Sequence, residues 1–319
     1  MFAVAAQVVG AIAFAIAFVL GGGDESDSGG LLWSSLFQSI SAFNNAGFDI
    51  VGGGRGFTAF TDRPAVLAVT AALIVLGGLG FGIVFDMTRK RRWERFALET
   101  KLVLVATVGL IVLGAVGILV TEWTNPGTLG AMPSIDRVWN GTFMSISPRS
   151  AGFSSLDMSA LRPETSIILI VLMFVGTASG STGGGIKVNT LAVLVLVAVS
   201  VATRRGDPSA FGRRVTIDSV FRAIAVFFIF SLMNFIGLLV VAALSNVAPG
   251  ATLFEVVSAL GTVGLSLGVT PDYGDPARLA LAVCMFVGRL GPLAVIILLF
   301  GRGAGSPAVR RPEEPIRIG

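Results

Sequence analysis

The sequence predicts an all-α, multi-pass membrane protein built from repeated units of span, short re-entrant helix and span. Three observations carry that expectation. The composition is too apolar for water to be the only solvent. Six long apolar runs are divided by two chemically different kinds of connection. A short helix followed by a small-residue turn recurs three times.

Hydrophobic residues make up 54% of the 319 and charged residues 13%, and the mean hydropathy is +0.85. A soluble domain of this size cannot hide so much apolar surface while still meeting water, so lipid is one of the solvents. The chain has no His, which excludes Ser-His and Cys-His nucleophilic machinery and His-ligated metal sites. Its single cysteine, Cys284, lies in an apolar run and reads as a small core side chain. The net charge of +4 does not point to nucleic acid. In a membrane protein the informative question is which connections hold the Lys and Arg.

A span needs about 20 mainly apolar residues. Runs of that order occupy Met1–Leu20, Pro64–Met87, Leu102–Val120, Ser166–Thr203 (interrupted), Val220–Leu244 and Arg278–Phe300. The first lacks the basic start and small-residue cleavage site of a signal peptide and is read as a span. One kind of connection is basic, with Arg89-Lys90-Arg91-Arg92, Arg95 and Lys101, then Arg204, Arg205, Arg213 and Arg214, then Arg302, Arg310, Arg311 and Arg317. The other kind is rich in Gly, Ser and Pro and carries acids such as Asp24, Glu25, Asp27, Glu122 and Asp272. The positive-inside rule puts the basic kind, and with it both termini, in the cytoplasm.

The three outer connections share a pattern. Each holds a semi-apolar stretch too short to span and then a turn: Asn45, Ala46, Gly47, Phe48; Ser150, Ala151, Gly152, Phe153; Thr262, Val263, Gly264, Leu265. The glycines stand 105 and then 112 residues apart, an internal repeat. Irregular backbone at membrane depth is tolerated only where protein buries it or water fills a cavity beside it. Glycine permits close approach of backbone to a ligand, and each short helix directs its negative end at its turn. Three such turns in register predict a site for a dehydrated cation held by backbone carbonyls. The alternative is re-entrant packing elements with no ion.

The fourth run is broken by Gly176-Thr-Ala-Ser-Gly-Ser-Thr-Gly-Gly-Gly-Ile-Lys187, too rich in Gly for comfortable helix. A phosphate-binding loop would need Lys directly after the last Gly and a hydroxyl after it, whereas Ile186 and Val188 flank Lys187. A hydrolase using Ser179 or Ser181 with Lys187 is a formal alternative. A polar plug within the pore fits the composition better. Arg289 sits inside the last apolar run, with Arg278 and Arg302 marking its ends, and is placed at a pore or gating position.

Seven stretches resemble the Trk/Ktr/HKT superfamily of potassium transporters, and most closely the membrane subunit of bacterial Ktr systems. They are Ser41-Ala-Phe-Asn-Asn-Ala-Gly-Phe48, Gly77-Gly-Leu-Gly-Phe81, Glu122-Trp-Thr-Asn-Pro-Gly-Thr-Leu-Gly130, Ser147-Pro-Arg-Ser-Ala-Gly-Phe153, Gly180-Ser-Thr-Gly-Gly-Gly-Ile-Lys187, Gly261-Thr-Val-Gly-Leu-Ser266 and Met285-Phe-Val-Gly-Arg-Leu-Gly-Pro292. The resemblance implies four pore units around one central pore, without covalent catalysis. Residues 1–90 would be the second unit with filter Gly47, 91–205 the third with filter Gly152, 206–303 the fourth with filter Gly264, and 304–319 a cytoplasmic tail. It further implies that Gly176, Ser179, Gly180, Ser181, Thr182, Gly183, Gly184, Gly185 and Lys187 belong to an intramembrane gating loop, and that Arg289 interacts with it. The implied assembly is a homodimer in the plasma membrane on a cytoplasmic ring of nucleotide-binding regulatory subunits, with K+ as the transported ion and Na+ as an activating or coupled ion. In the family a whole unit precedes the residues that match Met1–Leu20, whereas only 46 residues precede Gly47. The expectation is therefore three of four pore units, through a fragment, a mis-called start or a truncated gene, with weakened selectivity and no conduction by this chain alone.

Overall fold

The computed structural model describes residues 2–21, 30–51, 56–204 and 207–291. Asp24, Glu25, Asp27, Arg205, Arg302, Arg310, Arg311, Arg317, Pro292, the rest of the sixth run and the tail 304–319 lie outside the described residues. The all-α expectation holds. Eleven α-helices are present among the described residues: α1 (Phe2–Leu20), α2 (Leu31–Phe43), α3 (Pro64–Leu79), α4 (Phe81–Lys90), α5 (Leu98–Glu122), α6 (Ser134–Ile146), α7 (Pro163–Phe174), α8 (Val188–Ala202), α9 (Ile217–Ala243), α10 (Pro249–Leu260) and α11 (Asp275–Leu290). The sole sheet among these residues is a minimal hairpin, β1 (Ser209–Ala210) antiparallel to β2 (Arg213–Arg214).

Helices α1, α5 and α9 run 19, 25 and 27 residues and are apolar enough to cross a bilayer. Each buries only a narrow stripe. In α1 that stripe is Gly10, Phe14, Ala17 and Phe18, while Val9 and Val19 are 66% and 64% exposed. Water would penalise such surface and lipid does not. Each long helix packs against a short one of 12 or 13 residues, α1 on α2, α5 on α6 and α9 on α10. A helix of 13 residues rises about 20 Å, too little to span about 30 Å of hydrocarbon. Helices α3, α7 and α11 complete three triplets, and α3 against α6 and α7 against α10 join them side by side. Pro at the first turn starts α3, α7, α10 and α11, where a missing N–H costs nothing.

The core lies between the triplets and is aromatic near its centre. Phe57 is stacked on Phe143 at 5.8 Å, tilted on Phe153 at 4.7 Å and edge-on to Phe60 at 5.5 Å. Pairs of this kind add about 0.5–1.5 kcal/mol each beyond their buried area. Phe153 follows Gly152, so the second turn is seated on this cluster.

One expected span is broken. Pro64–Met87 is not one straight helix, because the chain bends by 94° between α3 and α4. The bend falls at Gly80, with φ 81° and ψ 150°, a conformation that costs other residues dearly. A Cβ there would stand 2.8 Å from the carbonyl oxygen of Ser179. The chain turns away because the interrupted fourth run occupies the space ahead. The interruption itself lies where expected, with α7 ending at Phe174 and α8 starting at Val188.

On the face carrying the basic connections, Asp86 of α4 accepts from the backbone of Ala97 (2.9 Å) and from Thr100 Oγ1 (2.8 Å) and pairs with Lys90 at 2.6 Å. This ties α4 to the start of α5. Lys101 Nζ lies over the rings of Trp93 (5.8 Å) and Phe211 (5.5 Å), which clamps the β1–β2 hairpin onto the same region.

Candidate functional site

The three turns that follow α2, α6 and α10 have one backbone signature. The glycines are left-handed, with φ 75° at Gly47, 78° at Gly152 and 95° at Gly264. So are the residues two places earlier, Asn45 (51°), Ser150 (80°) and Thr262 (50°). Left-handed backbone is uncommon outside Gly and uncomfortable for a β-branched residue such as Thr262, so each turn is held there by its surroundings.

A serine near the end of each short helix does part of that holding. Ser41 Oγ donates to Phe48 O at 2.6 Å and accepts from Phe48 N at 3.1 Å. Ser147 Oγ donates to Phe153 O at 2.5 Å, and Ser258 Oγ accepts from Gly264 N at 3.2 Å. The buried Glu255 adds a clamp to the third turn. It accepts from Ser266 Oγ (2.7 Å), Leu267 N (3.1 Å) and Thr270 Oγ1 (3.2 Å). None of these supporting residues stood out in the sequence, although the recurrence of Ser five or six places before each glycine was a usable signal.

The turns stand side by side. A Cβ at Gly47 would strike Ala151 O, and one at Gly152 would strike Val263 O, whereas nothing described lies within 4 Å of the corresponding point on Gly264. Each of the first two glycines thus abuts the carbonyl preceding the next glycine, and the three turns trace an arc of backbone oxygens.

Against this arc packs the loop from Val175 to Lys187. Its base closes through Gly176 N to Ile186 O (2.9 Å) and Ile186 N to Phe174 O (3.2 Å). One side rests on α3, where Ala178 N donates to Gly78 O at 2.9 Å and Thr182 Oγ1 donates to Gly77 O at 3.3 Å. The other side meets the turns. Asn45 Nδ2 donates to Thr182 Oγ1 (3.2 Å), Gly184 N donates to Ser150 Oγ (2.7 Å), and Ser150 Oγ reaches Thr262 O at 3.4 Å. Gly183 and Gly184 permit that approach, since a Cβ on Gly183 would lie 2.8 Å from Ser150 Oγ and one on Gly184 would strike Thr262 Oγ1.

Lys187 and Arg289 converge on the loop's far side. Lys187 Nζ donates to Gly183 O (2.5 Å) and Arg289 Nη1 to Thr182 O (3.1 Å), and the two cations are near enough to repel. Arg289 lies in the last turn of α11, which ends at Leu290. Gly291 follows with φ 79° and ψ 154°, nearly the backbone of Gly80. The segments Gly77-Gly-Leu-Gly80 and Gly288-Arg-Leu-Gly291 are thus the same structural element, with Arg289 standing where α3 has Gly78. Below the loop opens a cavity of ≈ 940 Å³, lined among others by Ser181, Lys187, Arg214, Arg222 and Arg289.

The Ser-Lys alternative finds no geometry. Ser181 Oγ donates to Ala178 O (2.5 Å) and pairs with Thr177 Oγ1 (2.7 Å), while the Lys187 amine is bonded to Gly183 O. Sequence reasoning also passed over Arg149, which is 5% exposed, with its Nη2 donating to Gly176 O at 3.2 Å. A charged residue inside a turn at membrane depth was the available signal.

A family model described as TrkH, cation transport protein, matches residues 1–301. The Ktr system potassium uptake protein B of Bacillus subtilis is 33% identical over 296 residues, covering 93% of this chain and 65% of that protein. The potassium/sodium uptake protein NtpJ of Enterococcus hirae is 33% identical over 323 residues, covering 100% of this chain and 70% of that protein. Among solved structures, the potassium transporter TrkH from Vibrio parahaemolyticus superposes with a TM-score of 0.72 at 22% identity, over 92% of this chain and 62% of that one. This is a likeness of fold. The chain spans about two thirds of the length of the curated relatives it matches.

Proposed function

Because the chain belongs to the TrkH family of cation transport proteins, we propose that it is a pore-forming part of a potassium-uptake protein in the plasma membrane. The observation that carries this reading is the arc of left-handed turns, in which Gly47 and Gly152 each abut the carbonyl of the next turn. Carbonyls so placed replace the hydration shell of a bare cation, and the short helices add their negative ends. In this reading residues 1–90, 91–205 and 206–303 each contribute one pore unit with one filter glycine. The loop 176–187, held by Arg289 and Lys187, blocks the path on the inner side and moves to open it.

In this reading both termini of the chain face the cytoplasm, where the basic connections meet inner-leaflet lipid or regulatory subunits. The assembly is a homodimer on a nucleotide-binding ring. Sodium is the second candidate ion, because one relative is named a potassium/sodium uptake protein. The test is expression of this chain, and of a version extended upstream, in a potassium-uptake-deficient bacterium, scored by growth at low potassium and by Rb+ and Na+ uptake. Growth with saturable Rb+ uptake from either supports the proposal, and rescue by the extended version alone makes this chain one part of the pore. Neither growth nor uptake from both, with the proteins detected in the membrane, overturns it.

A further inference from the structure

The contacts between loop and turns fall on particular residues. The side chains that reach the loop from the first two turns belong to Asn45 and Ser150, two of the three left-handed residues placed two before the glycines. Thr262, the third, is joined to Ser150 at 3.4 Å. Arg149 adds a bond from the second turn to Gly176 O, at the loop's first glycine. Its Nε has no partner, and no carboxylate pairs with it among the described residues. A buried guanidinium without a counter-ion depends on whatever carbonyls it can reach. Moving the loop away would therefore strip Ser150 Oγ of its donor, Asn45 Nδ2 of its acceptor and Arg149 of its carbonyl together. Residues held in left-handed backbone persist only while their surroundings hold them there.

We propose that Asn45, Ser150 and Arg149 are positioning residues that make the loop a structural support of the carbonyl arc, so that loop position sets ion discrimination as well as flux. This rests on the transport reading above and assigns it a regulation that a simple plug lacks. A plug changes how many ions pass, whereas a support changes which ions pass. With the loop seated, the turns keep a spacing suited to a large, weakly hydrated cation. With it displaced, the second turn is free to relax and the arc loses its preference.

The discriminating experiment measures the ratio of Rb+ to Na+ uptake, together with absolute rate and membrane content, in uptake-deficient cells expressing the whole protein. Ser150→Ala removes the acceptor for Gly184 N and the link to Thr262. Arg149→Met removes the bond to Gly176 O while leaving an apolar chain of similar length. Each is expected to lower the ratio about three- to tenfold, the range a single hydrogen bond of modest net worth supports. Ser150→Thr keeps the hydroxyl, and Thr262 shows that the repeat accepts Thr in this backbone. It should restore the ratio to within about twofold of wild type, which a merely destabilised turn would not do. Arg289→Ala cuts the loop from α11 without touching a turn, so a displaced loop should raise the rate and lower the ratio at least about threefold together, whereas a simple plug would raise the rate alone. A wild-type ratio in both Ser150→Ala and Arg149→Met overturns the proposal, as does a raised rate with a wild-type ratio in Arg289→Ala. If one of the two variants fails to reach the membrane, the other decides. Absence of uptake by the wild type overturns the transport reading and this inference with it.

Discussion

Replacing Glu255 with Ala removes a carboxylate that makes three hydrogen bonds to the segment leaving Gly264. Bonds to a charged acceptor contribute about 1.5–3 kcal/mol each, but the three are not lost independently. Ser266 Oγ and Thr270 Oγ1 remain bonded to each other at 2.9 Å, so the backbone N–H of Leu267 is the group left bare. The net loss is then about 2–4 kcal/mol. Glu255→Gln keeps one carbonyl oxygen for Ser266 and Leu267 and turns an amide toward the Thr270 hydroxyl, and should cost about half as much. The assay is thermal unfolding of purified protein in detergent, where about 2 °C accompanies each kcal/mol in a chain of this size. Ala should lower the midpoint by at least about 4 °C, Gln by clearly less, and the half-saturation for Rb+ uptake should rise in the same order. The corresponding positions in the other two turns hold Gln38 and Phe143. An Ala variant with wild-type midpoint and half-saturation would refute the clamp.

Gly152→Ala puts a methyl group onto Val263 O in backbone with φ 78°. Rb+ uptake should fall more than about tenfold, whereas Gly264→Ala, strained but unobstructed, should fall less; equal losses would count against the arc. Gly80→Ala meets Ser179 O at 2.8 Å and a φ of 81°, so the unfolding midpoint should drop by at least about 2 °C, for a penalty of about 1–2 kcal/mol. An unchanged midpoint would show the bend to be incidental. Trp93→Ala removes one of the two rings under Lys101 and the edge contact of 5.9 Å to Phe211. Trypsin should then cut after Arg213 and Arg214 several times faster in membranes opened to expose that face, and an unaltered cleavage rate would show that the clamp does not hold the hairpin.

Long-range consequences separate what was legible from what was not. Six apolar runs, the broken fourth run and the three glycine turns were readable because hydropathy and glycine content are local properties. The bend at Gly80 was not. Gly77-Gly-Leu-Gly80 sits in an apolar run with nothing nearby to distinguish a kink from helix packing, and its cause, the carbonyl of Ser179, lies about a hundred residues away in the chain. Arg149 was visible as an odd charge within a quoted motif, but its partner at Gly176 was not.

The amino-acid sequence alone determined that this chain lives in lipid, that it repeats a short helix and turn three times, and that charges at 187 and 289 need polar company. Lipid imposes those outcomes through composition and spacing, whatever the packing. Tertiary structure alone decided that Asn45, Ser150 and Thr262 share left-handed backbone, that Gly47 and Gly152 abut the carbonyls of neighbouring turns, and that the loop is bonded to the turns themselves. Those facts depend on atoms more than a hundred residues apart being brought within hydrogen-bond distance, which only the packing of one triplet against the next supplies.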